Sequence, residues 1–235
     1  GLHFLHMSLI FLFLAIAFLA YSNGANDNIK GVATLPGSGT ANYRKAVAIT
    51  TVFTFLGSAM AIFLADQLLK NFSGKGLIDP EIAVQPGFLL AVGFAAAATV
   101  FLATRLGFSI STTHALTGAL VGGGLLVSQV NFPILFHKFF IPLMISPILA
   151  AALTAIVYLI FKKVRVRLGV TRETCICVEE RVAVVATESS CGALFGIGMV
   201  NQKARWNTIR GILLSWLITL PLAGSIAAVL AYLLF

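Results

Sequence analysis

The chain has 235 residues, of which 59% are hydrophobic and 10% are charged, and its formal net charge is +8. Soluble domains have about a quarter of their residues charged, so this composition excludes an ordinary soluble fold and indicates a helical membrane protein. In a soluble chain the basic excess would suggest nucleic acid as a partner. In a membrane chain it reports orientation, and no nucleic acid is expected.

Six apolar stretches approach or reach the length that crosses about 30 Å of hydrocarbon at 1.5 Å per residue. We predict membrane-spanning helices over Leu5–Tyr21, Ala46–Leu69, Phe88–Thr104, Thr113–Val127, Phe139–Phe161 and Ile209–Phe235. The predicted fold class is an all-α polytopic membrane protein with about six spans plus broken or re-entrant segments. We divide it into a first repeat (7–161), a cytoplasmic linker (162–204) and a terminal transmembrane helix (205–235).

Basic residues are distributed unequally between the two ends of these spans. If the spans alternate, three lysines fall on one side (Lys70, Lys75, Lys138) and twelve basic residues on the other: Arg44, Lys45, Arg105, Lys162, Lys163, Arg165, Arg167, Arg172, Arg181, Lys203, Arg205 and Arg210. Cytoplasmic loops carry such an excess. The chain is therefore predicted to lie in the cell membrane, surrounded by lipid, with both termini external.

Two polar segments, Ser22–Thr40 and Gly107–His114, lie against strongly apolar sequence. Irregular backbone survives at membrane depth only where it is buried in protein or lines a wet cavity. Both segments are therefore expected to interrupt the helices and to contribute to a functional site.

The first segment contains S-N-G-A-N-D-N-I-K, which ends at Lys30. A carboxylate or an ammonium costs about 2.5–3.5 kcal/mol to insert, so Asp27 and Lys30 should face a cavity or each other. Asp27 and the amide oxygens of Asn23, Asn26 and Asn28 are the hard oxygen ligands that an alkali cation needs. Alternatively, Asp27 and Asn28 cap a helix at the membrane surface while Lys30 extends to water.

The second segment contains S-I-S-T-T-H and precedes an apolar, glycine-rich helix. Hydroxyls of Ser111, Thr112 and Thr113 at a helix N-terminus, beside unpaired N–H groups and the positive end of the helix dipole, would suit a tetrahedral oxyanion. The alternative is an ordinary Ser/Thr N-cap. His114 is either a packed polar residue or a titratable partner of the anion.

An internal repeat relates residues 147–161 to residues 221–235, with proline, tyrosine, leucine and phenylalanine at identical offsets. In the predicted topology the first copy runs inward and the second outward, as in an inverted-repeat transporter. The alternative is a chance similarity between two apolar helices that each contain a proline.

Catalysis and a metal cofactor have little support in the sequence. No H-E-x-x-H, G-x-S-x-G or paired-carboxylate arrangement indicates an enzyme. Cys175, Cys177 and Cys191 are too few for a disulfide framework, and a metal or redox role for them is the weaker interpretation.

Taken together, the two segments resemble the inorganic phosphate transporter (PiT) family of cation-coupled permeases. The resemblance rests on Gly24-Ala25-Asn26-Asp27 followed by Gly37-Ser38-Gly39, and on Ser111-Thr112-Thr113-His114 with its trailing glycines, and it extends over about residues 7–161. It implies an inverted-repeat helical fold in which broken helices bring the two motifs together. It also implies symport of phosphate by alternating access, driven by a sodium or proton gradient, with sulfate as the alternative substrate.

The resemblance also implies roles for individual residues. Asn26 and Asp27 would help bind the driving cation, usually sodium, and no other cofactor is expected. The anion would be held by the hydroxyl residues of the second motif, Ser111, Thr112 and Thr113.

Two features depart from the family pattern. Lys30 stands where the family usually has a neutral amide, so its ammonium could replace one sodium ion, pair with Asp27 or contact the anion directly. Each motif also occurs once, whereas family members normally carry both twice, so the second repeat is incomplete. A homodimer or a complementary partner chain would complete the site, and a non-transporting subunit of a larger permease is the alternative.

Overall fold

A computed structural model describes residues 2–28, 42–64, 74, 76–108, 110–167 and 206–235. These residues form α1 (Leu2–Asp27), α2 (Tyr43–Leu64), α3 (Pro80–Ala83), α4 (Pro86–Arg105), α5 (Thr112–Val127), α6 (Phe132–Leu135), a π-helical turn (Phe136–Phe140), α7 (Ile141–Arg167) and α8 (Trp206–Leu234). The prediction of an all-α polytopic membrane protein is confirmed.

Within the described residues, five helices are long and apolar enough to cross a membrane: Met7–Asp27, Tyr43–Phe63, Pro86–Arg105, Phe132–Phe161 and Arg210–Leu234. The sixth predicted span, α5, is apolar but has 16 residues. At 1.5 Å per residue it is about 24 Å long, which is less than the hydrocarbon thickness of about 30 Å. Helix α5 is therefore shorter than the hydrocarbon layer that the other five helices are long enough to cross.

Two compact units make up the chain. One comprises Gly1–Asn26, Ser58–Pro142 and Gly211–Phe235, and the other comprises Asp27–Gly57 and Leu143–Arg210. Both are discontinuous in sequence, because helices from distant parts of the chain pack together. The predicted division into repeat, linker and terminal helix follows chain order and stays a prediction.

Small side chains dominate the core of the first unit. Its fully buried residues are mostly alanines from three helices: Ala91, Ala95, Ala96 and Ala97 of α4, Ala115 and Ala119 of α5, and Ala223, Ala227 and Ala231 of α8. Lipid is as apolar as leucine, so membrane helices associate through close packing, which small residues allow.

Helices α5 and α8 approach each other most closely at glycines. A Cβ placed on Gly118 would lie 2.3 Å from the carbonyl oxygen of Leu220, and one on Gly122 would lie 2.1 Å from that of Gly224. As α5 advances four residues from Gly118 to Gly122, its partner advances four residues from Leu220 to Gly224. The two helices therefore run parallel, with a register fixed by backbone contact.

Helices α1 and α4 also run parallel. Ala15 faces Gly93, where an added Cβ would lie 3.9 Å from that of Ala15, and Asn26 is hydrogen-bonded to Thr104. The rings of Phe18 and Phe94 lie between these contacts, with centroids 5.8 Å apart. This pairing places the polar C-terminal end of α1 beside the C-terminal end of α4.

The prediction that irregular backbone begins at Ser22 is wrong, because α1 stays helical through Asp27. The Ser22 hydroxyl donates to the carbonyl of Phe18, so it is satisfied within the helix. Gly24 meets no neighbour within 4 Å and forces no break. Beyond Asn28 the segment, with Lys30 and Gly37–Gly39, lies outside the described residues, as do Cys175, Cys177 and Cys191.

The prolines of the predicted repeat both lie inside helices, Pro147 in α7 and Pro221 in α8. The inverted relation between the two copies stays a prediction.

Candidate functional site

A glycine turn connects α4 to the polar start of α5. Gly107 has a φ of +76°, a backbone conformation that residues with a Cβ rarely adopt. The N–H of Gly107 donates to Thr104 O (3.1 Å) and the N–H of Phe108 donates to Ala103 O (2.8 Å). This is the Schellman pattern, which satisfies the last carbonyls of a helix and reverses the chain. It brings the chain back to begin α5 beside the end of α4.

Three hydroxyls gather at the N-terminus of α5. Ser111 is the N-cap, with extended backbone, and its hydroxyl accepts from the N–H of His114 at 3.4 Å. The same hydroxyl lies 2.5 Å from that of Thr113. The N–H groups of Thr112 and Thr113 have no acceptor inside the helix, as in any first turn. Helix dipole, N–H groups and hydroxyls therefore all favour negative charge here.

The polar end of α1 is hydrogen-bonded to this region. The Thr112 hydroxyl donates to the side-chain oxygen of Asn23, 89 positions earlier in the chain. One turn further along α1, Nδ2 of Asn26 donates to Thr104 Oγ1 (2.8 Å) and to Phe108 O (3.3 Å). The two polar segments found in the sequence thus meet at the α4–α5 turn.

Burial separates the residues of this region into two groups. Asn26, Ser111 and His114 are buried, with 6%, 7% and 6% of their surface exposed. Asn23, Thr112 and Thr113 are half-buried. These last three side chains are the more exposed part of the cluster.

His114 packs against Trp216 of α8. Their rings are stacked, with centroids 5.9 Å apart and an interplanar angle of 23°. One turn further along α5, Thr117 is fully buried, and its hydroxyl has no hydrogen-bond partner within the part of the chain that the structure describes. The side of α5 that faces α8 is therefore polar at its start and packed tightly along its length.

The second unit contains a polar cluster of its own around Asn28. Its Nδ2 donates to Thr51 Oγ1 (3.0 Å), its Oδ1 accepts from Thr54 Oγ1 (3.0 Å), and its backbone carbonyl accepts from the Thr50 hydroxyl. Three threonines of α2 thus hold the residue that follows the end of α1. Asp27, which precedes Asn28, is half-buried.

Comparison with known proteins decides the family. The sequence profile described as "Phosphate transporter family" matches residues 23–183, which is more than half of the chain and contains both polar segments. The chain belongs to the phosphate transporter family. With five helices able to cross a membrane, this member is a multi-pass membrane protein.

Similar proteins come from distant organisms, and all are named "Putative phosphate permease". One from Pyrococcus furiosus is 34% identical over 61% of this chain and 35% of its own length. One from Haemophilus influenzae is 34% identical over 45% of this chain and 25% of its own length. One from Chlamydia muridarum is 28% identical over 62% of this chain and 35% of its own length. This chain therefore spans about a third or less of the relatives that it matches. No solved structure matches it.

Some partners of the site residues were missed by sequence analysis. Thr104, which accepts from Asn26, and Trp216, which stacks on His114, look like ordinary members of apolar helices. The threonines around Asn28 did leave a signal, because hydroxyls at positions 50, 51 and 54 of an apolar span lie on adjoining parts of one helix surface.

Proposed function

We propose that this family member takes part in secondary transport of inorganic phosphate across the cell membrane, coupled to a sodium or proton gradient by alternating access. The hydrogen bond between Thr112 and Asn23 carries the proposal, because it joins the hydroxyl-rich end of α5 to the polar end of α1. Family membership and the names of the relatives support phosphate as the substrate. A transporter of this kind is not an enzyme.

The anion in this proposal binds at the N-terminus of α5. Ser111, Thr112 and Thr113 offer hydroxyls and backbone N–H groups, which suit an anion with four oxygens. Because α5 is too short to cross the membrane, this end can lie at membrane depth, where the helix dipole acts with little screening by water. Lys30 follows α1 by three residues and is proposed as a further contact to the anion.

The cation in this proposal binds at the end of α1, at Asn26 and Asp27. Carboxylate oxygens at the end of an apolar helix are hard ligands that attract a sodium ion or a proton strongly, because little water screens their charge. An anion at membrane depth needs a compensating charge, since desolvating a lone ion costs many kcal/mol. Binding both ions together reduces both costs, and this is the physical basis of symport.

Uptake of radiolabelled phosphate into proteoliposomes that contain the full 235-residue chain tests the proposal. We expect saturable uptake that rises with an inward sodium or proton gradient and is inhibited weakly by sulfate. Ser111→Ala should reduce it strongly, because the variant loses the N-cap and one hydroxyl. Ser225→Ala is the matched control, since Ser225 is exposed and its hydroxyl donates to Pro221 O within its own helix.

Two results would count against the proposal. Equal uptake by wild type and Ser111→Ala would remove the α5 terminus from the anion site. Phosphate binding without uptake under any gradient would instead support a membrane subunit that does not transport by itself.

A further inference from the structure

We infer that Asn23 binds the anion through its side-chain nitrogen, and does not bind the cation through its oxygen. The inference rests on the proposed function, because it assigns a further ligand to the same oxyanion site. It changes the role that the sequence suggested, in which the amide oxygen of Asn23 belonged to the cation site.

The orientation of the Asn23 amide is the first step. Its Oδ1 accepts the hydroxyl hydrogen of Thr112. This bond occupies one of the two lone pairs of the oxygen, whereas both hydrogens of the donor Nδ2 are left to meet a ligand. No residue in the described ranges accepts a hydrogen bond from this nitrogen, and the side chain is half-buried, so a ligand can reach it.

The second step is a count of the hydrogens that the cluster can offer to an anion. The Thr112 hydroxyl hydrogen points to Asn23. Ser111 and Thr113 share one hydroxyl hydrogen between them, which leaves one for a ligand. The amide nitrogen of Asn23 carries two. In this arrangement Asn23 supplies more side-chain donors than the three hydroxyls together, and an oxyanion can accept from all of them.

Asn26 shows the opposite arrangement one turn further along α1. Its Nδ2 donates to the carbonyl of Phe108, and a carbonyl can only accept, so the orientation of this amide is fixed. The same nitrogen also donates to Thr104. In these hydrogen bonds Asn26 uses its nitrogen, whereas Asn23 uses its oxygen and keeps its nitrogen for a ligand.

Asn23→Asp separates the two roles, because it replaces the nitrogen by an oxygen of similar size and adds negative charge. If Asn23 binds the anion, the dissociation constant for phosphate should rise about tenfold to 100-fold, as expected for losing hydrogen bonds to a charged ligand. Sodium affinity, measured without phosphate, should stay close to that of the wild type. If Asn23 instead binds the cation through its oxygen, the added carboxylate should raise sodium affinity strongly.

Equilibrium binding of radiolabelled phosphate and, separately, of radiolabelled sodium to the purified full chain provides the readout. Asn131→Asp is the matched control, because Asn131 caps α6 through its side-chain oxygen, which aspartate retains. It should leave both affinities unchanged. If Asn23→Asp does not fold, Asn23→Ala carries the test, with about a tenfold loss of phosphate affinity and unchanged sodium affinity expected.

A double-mutant cycle with Thr112→Val tests the orientation itself. Valine has no hydroxyl to donate to the amide oxygen of Asn23. The loss of phosphate affinity caused by Thr112→Val should therefore be at least about threefold smaller in an Asn23→Ala background than in the wild type. Additive effects would overturn the inference. So would wild-type phosphate affinity in Asn23→Asp, while the proposed function would stand. No phosphate binding by the wild type would overturn both.

Discussion

Replacing Gly122 by alanine should push α5 and α8 apart. The added Cβ would lie 2.1 Å from Gly224 O, 2.3 Å from its Cα and 2.4 Å from its carbonyl carbon, whereas ordinary contact begins at 3.4 Å. All three atoms are backbone, so no side chain can rotate away. The helices must separate by about 1.3 Å, and overpacking of this kind costs about 1–3 kcal/mol of unfolding free energy.

Thermal unfolding of the detergent-solubilised chain measures this loss. A change of 1 kcal/mol moves the melting temperature by about 2–4 °C for a chain of this size, so a fall of several degrees is expected. Gly224→Ala should cost less, because its Cβ would lie 3.1 Å from Gly118 O. Gly57→Ala is the matched control, since Gly57 lies within α2 with nothing within 4 Å. It should be neutral or stabilising, because alanine is the better helix former.

The ranking of these three variants provides the test. If Gly122→Ala melts at the same temperature as Gly57→Ala, α5 and α8 do not pack through backbone contact, and the register described above is incorrect.

Three further predictions concern residues around the site. Thr117→Val should raise the free energy of unfolding by about 1 kcal/mol, because it replaces a buried hydroxyl that has no partner in the described structure with a group of similar shape; an unchanged or lower melting temperature would contradict this. Trp216→Leu should lose about 0.5–1.5 kcal/mol of ring stacking with His114, while Trp216→Phe keeps most of it, and equal melting temperatures for the two would argue against the stack. Thr104→Val should lower the free energy of unfolding by about 1 kcal/mol and weaken the sodium dependence of phosphate binding, since it removes an acceptor from Asn26. Unchanged sodium dependence would show that this contact does not orient the Asn26 amide.

The sequence predicted the helices well because each apolar run is bounded by polar residues. It failed at Ser22, where polar residues suggested a break, because a serine can satisfy its hydroxyl on the preceding turn of its own helix. Sequence also located the hydroxyl-rich start of α5, whose N-cap chemistry is local.

Tertiary partners could not be predicted in the same way. The contact of Asn23 with Thr112 joins positions 89 residues apart, and nothing in the local pattern specifies which end of the amide it uses. The pairing of His114 with Trp216 depends on the register of two helices that are distant in sequence. These contacts depend on how helices distant in sequence pack together, and a single sequence does not specify that packing.

The parallel pairing of α5 with α8 has a consequence for synthesis of the protein. About 80 residues separate the end of α5 from the start of α8. A ribosome needs roughly 4–16 s to synthesise them at ordinary elongation rates. During that interval Gly118 and Gly122 lack the α8 backbone that they face in the folded protein. A nascent chain stalled before Trp206 should therefore hold α5 loosely, and synthesis of α8 should lock the hydroxyl-rich start of α5 into place.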